Sequence, residues 1–177
     1  YRERTAPMNP SAFVRVELAP LLSRPGRALD LAGGAGRHSI WFAERGWDVT
    51  MVDTSEVAID IAADRAAEAG VEIALIHSDL AEDDLPEGQW DLVLMIHYLQ
   101  RDLFPRVTEQ LTDDGLLAFS VATVRNVERH ERPALPYLLN GGEAPMLVDD
   151  LRIIHYAEGW SIEDRHEARL VATKSTA

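Results

Sequence analysis

Cysteine is absent from the 177 residues of the chain, which excludes disulfide bonds, thiolate zinc sites and cysteine nucleophiles. Lysine is nearly absent too, because all but one of the 17 basic residues are arginine and the exception is Lys174. Arginine binds oxyanions through a planar fork, whereas lysine acts as a point charge. Long apolar runs are missing, and no basic leader followed by an apolar stretch opens the sequence. We therefore expect no membrane-spanning helix, no secretory signal and a cytoplasmic protein.

Acidic residues dominate the charge of the chain. The 30 Asp and Glu residues outnumber the 17 Lys and Arg residues, which gives a formal net charge of −13. A protein of this charge repels phosphate backbones, so duplex nucleic acid is not an expected partner. Hydrophobic residues make up 46% of the chain, as in folded globular proteins. Because no repeat or linker-like segment divides the chain, we predict one domain over residues 1–177.

Short apolar segments alternate with segments of helical periodicity. The sequence predicts strands at 27–31, 48–52, 72–76, 90–96 and 116–121, and helices at 37–45, 55–70 and 103–111. This alternation indicates an α/β fold with a doubly wound, mostly parallel sheet. Two further extended segments, at 152–156 and 168–173, have no room for a crossover helix between them, so they predict an antiparallel pair at the sheet edge.

Three other segments complete the predicted organisation. Asn9 and Pro10 are typical of a helix start, which predicts an N-terminal helix over about residues 10–22. A turn at 113–115 is expected before the strand at 116–121. The polar stretch at about 123–146 is predicted to be an insertion on the acceptor side of the fold, that is, beside a second substrate if the fold binds one.

Four features fall at the carboxyl ends of predicted strands, where open α/β sheets bind ligands. The segment 30–36 places an acid before a run of small residues that leads into a helix, where unpaired amides are available. Asp53 ends the next strand, where a carboxylate accepts both hydroxyls of a ribose. Asp79 follows the third strand, and His97 follows the fourth.

The glycine segment does not fit the common phosphate-binding motifs. A P-loop needs Gly-Lys-Ser/Thr, which is absent, and the third glycine of the dinucleotide fingerprint is replaced by Ser39. A nicotinamide-binding domain is therefore disfavoured. The carboxylate of Asp30 suits a ligand with an ammonium or sulfonium charge, which favours S-adenosylmethionine.

The segments 28–39, 48–55, 78–80, 90–94 and 111–121 resemble class I S-adenosylmethionine-dependent methyltransferases. The chain looks most similar to small bacterial members related to the tellurite-resistance methyltransferases. The resemblance implies S-adenosylmethionine as cofactor and S-adenosylhomocysteine as product. It departs from the family at Ala32, where the first glycine of the loop is usual, and a methyl group there crowds the cofactor if a positive φ is required.

The resemblance also implies a set of cofactor-binding residues. Asp30 and the backbone of the loop would surround the methionine moiety, Asp53 would hold the ribose, and the residues after the third and fourth strands would contact adenine and the sulfonium. The whole set is Asp30, Ala32, Gly33, Gly34, Gly36, Asp53, Thr54, Asp79, Leu80 and Ile96.

Three residues after the fourth strand are candidates for catalysis. His97 is either a base that takes a proton from the acceptor or a structural imidazole beside the cofactor. Tyr98 is either catalytic or part of the core, and Arg101 either holds an anionic acceptor or caps the following helix. No two of the six histidines have zinc-ligand spacing, so no metal is expected.

Basic residues also cluster in the polar stretch, at Arg125, Arg129, His130 and Arg132. They could form an oxyanion-recognising flap, or a solvated loop whose charge is partly cancelled by neighbouring glutamates. The triplet Arg-His-Glu occurs at 129–131 and again at 165–167. The two copies have no helical or metal-ligand spacing, so we treat the recurrence as chance.

The predicted function is transfer of a methyl group from S-adenosylmethionine to a small molecule such as a metalloid oxyanion or an anionic metabolite. The alternative is a cofactor-binding module or sensor of the same fold that transfers no methyl group. Little chain is left to build an acceptor pocket, so a homodimer partner could complete the site.

Overall fold

The computed structural model describes residues 9–174 and contains seven strands. In chain order these are β1 (Arg27–Leu31), β2 (Asp48–Asp53), β3 (Ala74–His77), β4 (Trp90–Ile96), β5 (Leu111–Ala122), β6 (Arg152–Trp160) and β7 (His166–Thr173). They form one sheet in the order β3-β2-β1-β4-β5-β7-β6. The first five strands are parallel, while β7 is antiparallel to both β5 and β6. The predicted α/β sheet with an antiparallel edge pair is confirmed.

Three α-helices connect the parallel strands: α1 (Arg37–Ala43), α2 (Glu56–Ala69) and α3 (Leu103–Gln110). The Ser55 hydroxyl caps α2 by accepting a hydrogen bond from the Ala58 amide at 3.2 Å. Gly70 ends the same helix with φ of 69°, a conformation that favours glycine. Over residues 9–174 no helix has both the length and the apolar character needed to span a bilayer.

The N-terminal segment differs from the predicted helix over residues 10–22. It forms a π-helix at Phe13–Leu18 and a 3₁₀ turn at Ala19–Leu21. The Ser11 hydroxyl, and not Asn9, faces the first turn, since it accepts from the Val14 amide at 3.4 Å. The wider π geometry buries Phe13, Val14 and Leu18 against the sheet, so packing and not local propensity sets this segment.

The predicted turn at 113–115 is a bulge inside β5. The pairing with β4 shifts register between Trp90 and Leu92, and Asp114 adopts φ of 64°. The Asp114 amide donates to the Lys174 carbonyl at 2.9 Å, so β7 continues the ladder across the bulge. The pairing of Leu111 with Trp90 of β4 extends β5 to Leu111, five residues before the predicted start.

Alternate residues of the strands enter two separate cores, one on each face of the sheet. On one face, Val93 and Met95 pack with Phe104 of α3 and with residues of the segment after β5. On the other face, Leu92 and Leu94 pack with side chains of α1 and of the N-terminal segment. The segment after β5 contains three 3₁₀ turns, at Val124–Glu128, Leu135–Tyr137 and Ala144–Val148.

The strand order changes direction between β1 and β4, since β2 and β3 follow on one side and β5 on the other. In doubly wound sheets the crevice at such a switch point, beyond the carboxyl ends of the strands, is where ligands bind. The loops after β1, β2 and β4 surround this crevice.

Candidate active site

The loop after β1 lies so close to β2 and α2 that two of its positions require glycine. A Cβ on Gly33 would lie 2.3 Å from the Met51 side chain, and a Cβ on Gly36 would lie 2.9 Å from that of Ala62. The Gly33 amide donates to the Val52 carbonyl at 3.1 Å, which fastens the loop to β2. At Gly34, in contrast, a Cβ would meet nothing within 4 Å, so this face of the loop is open.

Ala32, the residue in place of the first glycine, adopts φ of 57°. This left-handed conformation disfavours any residue with a Cβ, so the loop carries local strain at this position. The positive φ considered from the sequence is therefore present, and the alanine accommodates it.

Asp30 lies at the end of β1 with only 1% of its surface exposed. Its Oδ2 accepts a hydrogen bond from the Ser39 hydroxyl at 2.7 Å. Burial raises the pKa of this carboxyl to about 6, although Ser39 acts in the opposite direction. A buried carboxylate of this kind gains strongly from a cationic partner.

Asp53 at the end of β2 joins the glycine loop to the start of α2. Its Oδ2 accepts from the Gly34 amide at 2.8 Å, and its Oδ1 accepts from the Ser55 amide at 2.9 Å. The side chain is partly exposed beside the open face of the loop, and the neighbouring Thr54 is exposed. The carboxylate is therefore held in a fixed position at the crevice.

The residues after β3 and β4 meet across the crevice. The Tyr98 hydroxyl donates to Gln100 Oε1 at 2.6 Å, and Gln100 Nε2 donates to the Leu80 carbonyl at 3.0 Å. Burial raises the pKa of Tyr98, and the charges of Asp79, Asp102 and Asp53 raise it further. Tyr98 thus remains a neutral hydrogen-bond donor near the two acids that the sequence singled out. Gln100 was missed because nothing local marks a glutamine that bridges two loops.

His97 follows β4 directly and has φ of 59°. Its amide donates to the Ser120 carbonyl of β5 at 2.7 Å, which holds this strained backbone in place. Its Nε2 lies 3.5 Å from Oε2 of Glu167 on β7. His97 is partly exposed, whereas Ile96 before it is buried.

The comparisons with known proteins agree with this geometry. Residues 28–115 match a methyltransferase domain family. Nearly half of the chain is thus similar to a methyltransferase domain, and the whole described fold is that of solved methyltransferases. Solved structures described as S-adenosylmethionine-dependent methyltransferases share its fold.

Three relatives show how far the similarity extends. A candidate methyltransferase of Bacillus subtilis (strain 168), YqeM, is 33% identical over 109 residues, which are 56% of this chain and 44% of YqeM. TehB from Haemophilus influenzae superposes with a TM-score of 0.76 at 19% identity, over 90% of this chain and 61% of TehB. The [4+2]-cyclase SpnF superposes with a TM-score of 0.73 at 17% identity, over 89% of this chain and 77% of SpnF. The chain thus spans less than half the length of the curated relatives it matches.

Arg101 binds the insertion at 123–146 through its guanidinium. The guanidinium forms a forked ion pair with Glu143, and its Nη2 donates to the Leu138 carbonyl at 3.1 Å. The hydrogen bond from Arg101 lowers the pKa of Glu143. Among the described residues the Arg101 side chain bonds to the insertion and not to helix α3, so it is not seen to cap that helix, and its role in holding an acceptor stays a prediction.

Three of the four basic residues of the predicted cluster have partners within the protein. Arg125 contacts Glu128 at 2.8 Å, and Arg129 contacts Asp164 at 2.6 Å. His130 Nε2 is bonded to the Asp164 carbonyl. These three side chains are already bonded within the protein, which does not favour the hypothesis that they form an oxyanion-recognising flap.

Two residues of the triplet at 165–167 take part in a cluster of charges beside His97. The structure places Glu167 beside His97, with Arg165 Nε 3.7 Å from the same carboxylate. Arg169 Nη1 lies 3.8 Å from its other oxygen. The sequence offered no signal for this cluster, because residues 70 positions apart meet only through the antiparallel register of β5 and β7. Among residues 9–174, no three side chains that ligate metals are grouped as a metal ion would need.

Proposed function

We propose that the protein transfers the methyl group of S-adenosylmethionine to a small-molecule acceptor. The observation that carries this proposal is the grouping of Asp30, the glycine loop, Asp53 and His97 at the carboxyl ends of β1, β2 and β4. S-adenosylmethionine supplies a methyl group that its sulfonium has already activated, so alignment of the acceptor provides much of the rate acceleration.

The residues present fit this cofactor. The buried carboxylate of Asp30 supplies the negative charge that an ammonium or sulfonium group needs. Asp53 stands at the open face of the loop, in the position of a ribose acceptor, with both carboxylate oxygens already oriented by backbone amides. Leu80, next to Asp79, is a buried apolar residue at the position where the resemblance places adenine.

Positive charge near His97 favours an acceptor that carries negative charge. Arg165 and Arg169 approach Glu167 from two sides, and Arg37 starts the helix that follows the glycine loop. Arg169 also pairs with Glu17 at 2.9 Å, so Arg165 and Arg37 are the arginines that we propose for the acceptor, in a protein whose net charge is −13. A metalloid oxyanion or an anionic metabolite matches this local charge.

The test is release of S-adenosylhomocysteine from S-adenosylmethionine in the presence of tellurite, selenite and small carboxylates. We expect turnover with at least one of these anions and its loss in Asp53→Ala. Asp113→Ala is the control, because Asp113 lies near Gly26 and Asp91 at the opposite, amino ends of the parallel strands. Cofactor binding without turnover across an acceptor screen that includes neutral thiols and phenols would contradict the proposal.

A second candidate is a cofactor-binding protein that transfers no methyl group. SpnF, a [4+2]-cyclase, has the same fold, so the fold by itself does not require methyl transfer. On this second proposal the protein binds S-adenosylmethionine with the same residues, and no acceptor yields S-adenosylhomocysteine.

A further inference from the structure

Glu167 is a buried carboxylate beside His97 that cofactor binding does not explain. Only 1% of its surface is exposed, and it pairs across the sheet with Ala122 near the end of β5. Its Oε2 accepts from the Ser120 hydroxyl at 2.9 Å and lies 3.5 Å from His97 Nε2. Burying a charge in this way is costly unless its partners compensate.

The partners of Glu167 keep it ionised. Burial alone raises the pKa of this carboxyl, but His97, Ser120 and Arg165 outweigh burial, so the pKa lies below its ordinary value. A permanent negative charge therefore faces the inner nitrogen of His97 at neutral pH. The outer part of the imidazole remains accessible, since 23% of the His97 side chain is exposed against 2% for Glu167.

The backbone gives His97 little freedom to turn away from this carboxylate. Its φ of 59° and the hydrogen bond from its amide to the Ser120 carbonyl fix the direction of its Cα–Cβ bond. His97 Nε2 is a buried atom with no hydrogen-bond partner among the described residues. Catalytic hydrogen bonds are often long without substrate and tighten when substrate binds, so 3.5 Å is a reasonable resting distance.

We propose that Glu167 is the positioning residue that makes His97 a general base, a role that rests on the methyl transfer proposed above. Glu167 accepts the Nε2 proton of His97, which leaves the lone pair of Nδ1 for the acceptor. As the acceptor atom bonds to the methyl carbon, the bond from that carbon to sulfur breaks and its electron pair stays on sulfur. The proton of the acceptor passes to Nδ1, and Glu167 stabilises the resulting imidazolium.

This arrangement specifies a class of acceptor. A base is useful only if the nucleophilic atom carries a proton, as in a hydroxyl, a thiol or an N–H group. An acceptor that attacks through an unprotonated lone pair, such as selenium in selenite, gains nothing from the dyad. The negative charge favoured by the arginines then lies elsewhere on the acceptor.

Other charged groups near His97 are compatible with this role. Arg165 and Arg169 share Glu167 with His97, and each lies more than 3.5 Å from the carboxylate. His38 of α1 is neutral, because burial holds its pKa well below the ordinary value and its Nε2 accepts from the Ser11 amide at 3.2 Å. Only Glu167 among these neighbours can accept a proton from His97 Nε2.

The first test is the tautomer of His97, measured by nitrogen NMR on the full chain at pH 8. We expect the proton on Nε2 and a bare Nδ1 in the wild type. Glu167→Gln should weaken this preference, because an amide can donate as well as accept. Glu158→Gln, on the neighbouring strand and away from His97, is the matched control. A wild-type His97 with its proton on Nδ1 overturns the proposal, whether or not the variant folds.

The second test is kinetic and uses thiophenol, catechol and selenite as probe acceptors. Glu167→Gln should lower turnover of the two protic probes at least about tenfold, move the acid limb of the pH profile, and leave calorimetric S-adenosylmethionine affinity unchanged. Equal loss with selenite, or none with the protic probes, contradicts the dyad but not methyl transfer. Failure of the wild type to turn over any probe contradicts methyl transfer, while the tautomer still decides the role of Glu167.

Discussion

The buried carboxylate of Asp30 lowers the stability of the fold when it is ionised, and the same charge is proposed to bind the cofactor. Its pKa of about 6 in the fold exceeds the ordinary value of 3.8, so ionising it costs the folded state about 3 kcal/mol. The stabilisation from protonated Asp30 is complete below about pH 4 and is lost as the pH rises through about 6. At neutral pH the fold thus maintains an unfavourable buried charge, which a cationic ligand would compensate.

Asp30→Asn should therefore stabilise the protein while it weakens cofactor binding. The amide still accepts from Ser39 but carries no charge, so the variant should gain roughly 1 kcal/mol over wild type between pH 5 and pH 8. Its affinity for S-adenosylmethionine should fall about tenfold or more. Urea unfolding at the two pH values and calorimetry measure both effects. If the unfolding free energies of the two proteins had the same pH dependence, Asp30 would not be the buried acid with the raised pKa.

Ala32 carries backbone strain that glycine would relieve. A left-handed alanine destabilises the fold by about 1–2 kcal/mol, and glycine removes this strain. Glycine in turn lowers the free energy of unfolding by about 0.4–1 kcal/mol, because the unfolded chain gains entropy. Ala32→Gly should raise the unfolding free energy by about 0.5 kcal/mol. Ala35→Gly is the matched control, because Ala35 in the same loop is not among the described residues with a positive φ, and it should destabilise. Equal destabilisation by both changes would contradict this account of the loop.

At the scale of elements, the insertion depends on a few side chains because it contains only short 3₁₀ turns. Arg101 joins the end of β4 to Glu143 and to the Leu138 carbonyl. Arg101→Lys keeps the charge but loses the fork, so amide hydrogen exchange over residues 135–143 should become faster. Global stability should change by less than about 1 kcal/mol, because the arginine is partly exposed.

Arg106→Lys is the control for this experiment, since Arg106 pairs with a fully exposed carboxylate, Asp84. It should leave exchange in the insertion unchanged. If Arg101→Lys lowers methyl transfer without any change in exchange over 135–143, then Arg101 acts on the acceptor and not on the insertion.

The elements also show what the sequence could predict. The continuous apolar run at β4 and the helix signals at Ser55 and Gly70 are local, and the structure has these elements within a few residues of the predicted bounds. The extension of β5 to Leu111 and the π-helix at Phe13–Leu18 follow from neighbours distant in sequence, so local patterns missed them. The placement of Glu167 beside His97 depends on the register of two antiparallel strands, which no motif encodes.

At the scale of the whole molecule, the sheet topology gathers the candidate site. The switch between β1 and β4 brings an acid, a glycine loop and a histidine from separate parts of the sequence to one crevice. The antiparallel strand β7, which pairs with β5, places Glu167 beside His97. We therefore propose that the cofactor occupies the side of the crevice formed by β1 and β2, and the acceptor the side formed by β4, β5 and β7.

Calorimetric titration with S-adenosylmethionine, S-adenosylhomocysteine and NADH, side by side, tests the central claim most directly. We expect the two adenosyl ligands to bind with micromolar affinity and NADH not to bind. In Asp53→Ala the adenosyl affinities should weaken by about 1–3 kcal/mol. Binding of NADH, or no binding of either adenosyl ligand by the folded protein, would contradict the account.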